Sequence, residues 1–120
     1  LVRGIHHARN ALAQLAARGG LDDATSALHA AIAGSYTDRA WYDLWPTVPV
    51  LAEWWIVHDQ ADNAAVVIGY LDAHHLASVD DTTRSRLGTG PDIDQALTRG
   101  THLDRDQLIA YILEHLSTEP

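Results

Sequence analysis

The 120-residue chain contains no cysteine, no lysine and no methionine. Each absence removes a class of chemistry. Without cysteine there is no thiol nucleophile, disulfide, zinc knuckle or iron–sulfur ligand set, and cysteine usage says nothing about redox compartment. All eight basic residues are arginine, which excludes Schiff-base catalysis and a P-loop lysine within this chain. No apolar run approaches the roughly 20 residues that span a bilayer, and the amino terminus lacks the charged-then-apolar order of a signal peptide. The expected location is cytoplasmic. No run alternates apolar and polar residues between turn signals, so no strand is expected. The chain opens with Leu1 and has no initiator methionine, as expected of a fragment or processed piece of a larger protein.

What remains suits one compact domain: 47% of residues are hydrophobic and 20% charged. A chain of this length hides roughly two-thirds of its unfolded surface and needs no staple to build a core. The formal net charge of −8 argues against direct nucleic-acid or membrane contact, because both polyanions would repel the domain before a specific contact formed.

Helical signals dominate. The Ala- and Leu-rich segment 5–18, with Leu12, Leu15 and Ala16, stops at Gly19-Gly20, where a left-handed cap is cheap. Asp22 and Asp23 are placed to cap a second helix whose apolar stripe is Ala24, Leu28, Ala31 and Ile32, up to Gly34. Segment 37–58 carries Pro46 and Pro49 inside a helical pattern. An interior proline removes a hydrogen bond and clashes one turn back, which implies a kinked helix or one that restarts near Asp43; the kinked helix is preferred. A helix over 64–76 follows, with Val67, Ile68, Leu71 and His75 or Leu76 facing inward. Asp80 and Asp81 cap a short helix to about Leu87, Gly88-Thr89-Gly90-Pro91 breaks the chain, and 92–99 forms two further turns. Asp104 caps a last helix whose buried face is Leu108, Ile109, Ile112, Leu113 and Leu116.

Self-similarity is the most informative pattern. Gly19-Gly20-Leu21-Asp22-Asp23-Ala24 aligns with Asp59-Gln60-Ala61-Asp62-Asn63-Ala64, forty residues on. In each copy a helix precedes the turn and another follows, and the small Ala24 or Ala64 lets the second helix pack closely on the first. These hairpins resemble tetratricopeptide repeats. Leu51, Ala52 and Trp55 stand at the inward positions of the second copy's first helix, with Ile68 and Leu71 in its second. The first copy departs from the pattern at Leu12, where a small residue is usual, and at Tyr36, where a proline is common.

Three further segments are similar to the C-terminal helical-repeat region of actinobacterial-type regulators of the STAND ATPase and LuxR classes. They are Trp41-Tyr42-Asp43-Leu44-Trp45-Pro46-Thr47 leading to Leu51-Ala52-Glu53, the helix ending Gly69-Tyr70-Leu71-Asp72-Ala73, and Ala96-Leu97-Thr98-Arg99-Gly100 through Leu103 to Leu113. The resemblance implies an all-α, right-handed array of tetratricopeptide-like hairpins (about 4–34 and 38–76) with a C-terminal cap (about 79–116). It also implies a non-enzymatic sensor or scaffold module without a cofactor, whose ATPase and DNA-binding parts lie elsewhere. Its partners would be a protein, a neighbouring domain or a small effector, and a truncated array exposing a cut face at the Leu1 side could also form a homodimer. Position by position, the pattern puts His6, Arg9 and Ala13 of the first copy, and Pro46, Pro49, Glu53 and Ile56 of the second, on a partner-binding groove.

Other constellations have plainer readings. Of Trp41, Trp45, Trp54 and Trp55, two are expected in the core and two at the surface or a neighbouring repeat. Adjacent histidines at His6-His7 and His74-His75 point about 100° apart on a helix and do not easily share an ion, whereas His58 and Asp62 have i, i+4 spacing but across a turn. A small metal-binding protein or a metal-dependent hydrolase using these His and Asp residues is the alternative. Ser35 lacks the glycine and strand of a nucleophile elbow and reads as a loop serine. Gly88-Thr89-Gly90-Pro91 lacks the strand and lysine of a phosphate loop.

Protonating all eight histidines would take the formal charge from −8 to about 0. Light scattering should therefore rise as pH falls below roughly 6; a flat trace from about pH 8 to about 5.5 would contradict this.

Overall fold

Glycine, proline and capping carboxylates punctuate several of the helix boundaries. The computed structural model describes residues 2–20, 23–76 and 79–116. They form α1 (Val2–Arg18), α2 (Ala24–Thr37), α3 (Trp41–Leu44), α4 (Thr47–Val57), α5 (Ala61–Ala73), α6 (Asp81–Ser85), α7 (Pro91–Thr101) and α8 (Arg105–Leu116), with no strand among the described residues. Gly20 takes φ +67° after α1, and Gly88 and Gly90 take +85° and +130° before Pro91 opens α7. Asp80 caps α6 by accepting the Thr83 N–H at 2.7 Å. Asp104 and Gln107 cap α8 reciprocally, at 2.7 and 2.9 Å, a capping box. Asp23 stands at the α2 N-cap but makes no side-chain cap bond, and Asp22 lies outside the described residues.

Several expectations are revised. The kinked helix over 37–58 is two helices, α3 and α4, joined through Trp45 and Pro46, which both keep right-handed helical angles. Pro46 is the N-cap of α4 and Pro49 falls in its first turn, where backbone N–H groups have no intrahelical acceptor and proline costs little. The helix expected over 64–76 begins at Ala61 and ends at Ala73. His75 is exposed and Leu76 half-buried. α2 runs past Gly34 to Thr37, so Ser35 is a fully buried helical residue and not a loop serine.

The two repeat turns also differ. α4 ends in a left-handed Asp59 (φ +62°) with the Gln60 N–H returning to the Trp55 carbonyl at 2.8 Å. Arg39 (φ +57°) and His75 (φ +54°) close α2 and α5 the same way, through Ala40 to Ser35 and Leu76 to Leu71. Three helices thus use a Schellman-type cap without glycine, each left-handed residue costing about 1–2 kcal/mol. Consequently Ala24 opens α2, whereas Ala64 lies a turn inside α5; both are fully buried.

Helices α1 and α2 pack together, as do α4 and α5, and α1 also lies against α4. Between them sits the core: Trp55, Leu28, Ile32, Leu51, Ile68 and Leu71 are enclosed together with Leu108, Ile109 and Ile112 from α8. Of the four tryptophans only Trp55 is enclosed; Trp41, Trp45 and Trp54 are half-buried against the core. α5 is buried continuously from Ala64 to Leu71, because α7 crosses it backbone to backbone. A methyl group at Gly69 would collide with the Leu97 carbonyl oxygen, and one at Gly100 with the Val66 carbonyl oxygen.

Neither carbonyl can retreat without moving a helix, so Gly69→Ala and Gly100→Ala should each destabilise by about 2 kcal/mol or more. Gly4→Ala, whose new methyl meets nothing within 4 Å, should stabilise α1 by up to about 1 kcal/mol. Denaturant melts of the three variants check this; similar midpoints for all three would contradict the tight crossing.

Candidate functional site

α1 buries a polar edge. Its enclosed side chains are His6, Asn10, Ala13 and Ala16, while Leu12 and Leu15, the large apolar residues of the same helix, are each 66% exposed. The buried polar groups form a chain of hydrogen bonds across three elements. Asn10 Nδ2 donates to the His6 carbonyl and to Ser35 Oγ of α2, both at 2.8 Å. Thr47 Oγ1, at the start of α4, donates to Asn10 Oδ1 at 2.6 Å and accepts from Gln14 Nε2 at 3.1 Å. A buried amide satisfied on both ends fixes the register of its helix, because sliding would leave polar atoms without partners.

Two carboxylates flank this network. His6 Nε2–H donates to Asp38 Oδ2 at 2.7 Å. The buried Asp43 carboxylate lies 3.5 Å from Nδ1 of the exposed His7. An imidazole held by a carboxylate is the arrangement that orients a general base. Here the other ring nitrogen, His6 Nδ1, is buried without a hydrogen-bond partner among the described residues, on the side of Gly34. Ser35, the nearest hydroxyl in the network, is fully buried and accepts from Asn10.

Three hollows open along α1. One of about 250 Å³ is bounded by His7, Asn10, Gln14, Tyr42, Asp43 and Pro46. A second, of about 420 Å³, has His6, Asp38, Trp41 and Asp43 in its walls. The third, of about 180 Å³, is mostly apolar and lies between Ala17 and Arg18 of α1 and Val50, Trp54 and Val57 of α4.

No one of these hollows collects the seven residues expected to form the groove. His6 (3% exposed) and Ala13 (0%) belong to the interior. Arg9 is exposed, with its guanidinium against Gly34 of α2. Pro46 is exposed on the 250 Å³ hollow, Pro49 is half-buried and Ile56 packs against the core. Glu53 reaches the 180 Å³ hollow and accepts the Thr83 hydroxyl at 3.0 Å. Asn10, Gln14, Asp43 and Thr47 were not singled out by sequence, and the available signal was weak: an asparagine inside an Ala- and Leu-rich helix, against its propensity.

The histidines mostly finish helices. His58, His74 and His115 stack on Trp54, Tyr70 and Tyr111, each four residues earlier, with ring centroids 4.0–4.2 Å apart. His58 and His115 also donate Nδ1–H to the carbonyls of Trp54 and Tyr111, both at 2.8 Å. Among the described residues no three His, Asp or Glu side chains converge as a metal site would require. The half-buried rings of Trp41 and Trp45 stack on each other and on the buried Tyr70 as a column, with the Arg105 guanidinium 4.3 Å over Trp41. Burial pushes the Tyr70 hydroxyl above its ordinary pKa, opposed in part by Arg105.

Removing the centre of the α1 network leaves the Thr47 hydroxyl and Ser35 each short of a partner. Asn10→Ala should destabilise by about 1–3 kcal/mol, whereas Leu12→Ala on the exposed face should change stability by no more than about 0.5 kcal/mol. Urea unfolding of both variants reads the difference, and equal midpoints would show that the network does not hold α1. Comparisons with protein-family models, with curated proteins and with solved structures found no match.

Proposed function

We propose that this chain is a non-enzymatic regulatory module that binds a protein, a neighbouring domain or a small effector and passes that state to a larger ATPase-type transcriptional regulator. The observation that carries the reading is the exposure of Ile5, Leu12 and Leu15, at 55%, 66% and 66%, on a helix whose opposite side buries His6, Asn10, Ala13 and Ala16. Large apolar side chains left in water in a row are expected of a surface that another chain covers. The layout agrees with this. α1 and α2 form one hairpin and α4 and α5 another, with the two leading helices side by side, as a tetratricopeptide-like array would have them. On this reading α6, α7 and α8 close the array. The setting is a cytoplasmic regulator of the STAND or LuxR class, on the strength of the Trp41–Glu53, Gly69–Ala73 and Ala96–Leu113 segments.

The reading frame in which these codons lie provides the test. A nucleotide-binding ATPase and a DNA-binding domain in the same frame are the expected result. A frame holding neither would overturn the regulator setting.

A further inference from the structure

All sixteen acidic residues lie beyond Gly20, while α1 carries Arg3, Arg9 and Arg18 and no carboxylate. One helix of an acidic chain is therefore cationic. It is also the helix that leaves its large apolar residues in water. At about 100° per residue, Ile5, Ala8, Leu12 and Leu15 fall on one stripe, with Arg18 on one margin and, on the margin toward α2, the exposed Arg9, whose guanidinium lies beside Gly34. From Ile5 to Leu15 the row is about 15 Å long, nearly three helical turns. At the Arg18 margin the 180 Å³ apolar hollow between α1 and α4 has room for one aliphatic side chain.

We infer that this outer face of α1 is a docking surface for an acidic amphipathic helix of a protein partner. The inference rests on the interaction-module reading above and adds to it the face and the chemistry of the partner. Glu53 also borders the hollow at the Arg18 margin, where the Thr83 hydroxyl donates to it, but α1 itself carries only arginine as formal charge. A straight apolar row flanked by arginine on its own helix is complemented by a helix with apolar anchors at i, i+3 or i+4 and i+7 and carboxylates beside them. Charge argues against a second copy of this chain as the occupant. Two α1 faces would set arginine against arginine. The acidic remainder of the chain offers only Tyr42 and Val57 as large exposed apolar residues among those described, so it supplies charge without a matching row. An anionic lipid surface is disfavoured by the net charge of −8.

The probe is a synthetic helix of about 16 residues, roughly four turns, with Leu at the anchor positions and Glu on both margins. A Lys-for-Glu version is the control. Both are titrated by fluorescence anisotropy against the whole chain, against the Leu12→Glu/Leu15→Glu variant and against the Arg9→Glu/Arg18→Glu variant. All four positions are exposed, and circular dichroism melts establish that each variant folds; Leu15→Ser replaces the first pair if it does not. The expected result is that the acidic helix binds, loses roughly tenfold or more in affinity with either variant and weakens with added salt. The Lys version should bind at least about tenfold more weakly.

Absence of binding, equal binding of the two helices, or indifference to both variants would overturn the proposal. So would a dimer in sedimentation that Leu12→Glu dissolves, which gives the stripe to a second copy, or Leu12-dependent binding to phosphatidylserine vesicles. The regulator reading is judged separately by the reading frame. A frame with the ATPase and no helix binding removes only this surface, and the converse removes only that setting.

Discussion

The contact on which the rest of the molecule depends is the crossing of α5 and α7 at Gly69 and Gly100. There the two backbones touch, each glycine facing a carbonyl oxygen of the other helix. This brings α7 close enough to seal α5, whose residues from Ala64 to Leu71 are all buried. With α5 enclosed, α4 packs on one side of it and Trp55 is closed into the core. α8 then completes the enclosure, its Tyr111 hydroxyl donating to Asn63 at 2.7 Å and Asp106 accepting the Tyr36 hydroxyl at 2.7 Å. The absence of a side chain at Gly69 and Gly100 permits such a crossing, and dispersion between backbones that close is strong because so many atoms reach contact distance together.

α1 is attached by a different kind of force. Its buried side contributes His6, Asn10 and two alanines, so little apolar area is removed from water there and the hydrogen bonds to Ser35 and Thr47 set its position. Its large aliphatic residues point the other way. A helix arranged like this is held to its own domain by polar specificity and leaves its large aliphatic side chains in solvent. Because unsatisfied buried amides are expensive, the same network that fixes α1 also fixes which of its faces stays in solvent.

Much of the fold could be read from residues alone. The stripe Ala24, Leu28, Ala31 and Ile32, the Leu108, Ile109, Ile112 and Leu116 face of α8, the Asp80 and Asp104 caps and the break at Gly88–Pro91 follow from periodicity and capping chemistry, which are local; on α8 Leu113 is only half-buried and Tyr111 takes a buried place instead. At Pro46 and Pro49 the same residues fit a kink or a fresh helix start, and short-range order does not choose between them. The left-handed Arg39, Asp59 and His75 have no local signal, since a non-glycine residue keeps that conformation only where the surrounding structure repays the strain. Of the expected groove, Arg9, Pro46 and Glu53 retain some access to solvent, whereas Ala13 and His6 are interior.

By itself the sequence determined an all-helical domain, its punctuation and its segregation of charge, with every acid after Gly20 and a cationic first helix. These are properties of composition and short-range order. The tertiary structure alone decided which side of α1 is buried, because Ala13 and Leu12 sit one residue and about 100° apart and only the neighbouring Ser35 and Thr47 select between them. It also decided that Gly69 and Gly100 meet: each is an unremarkable glycine in its own helix, and their function exists only where two backbones distant in sequence cross.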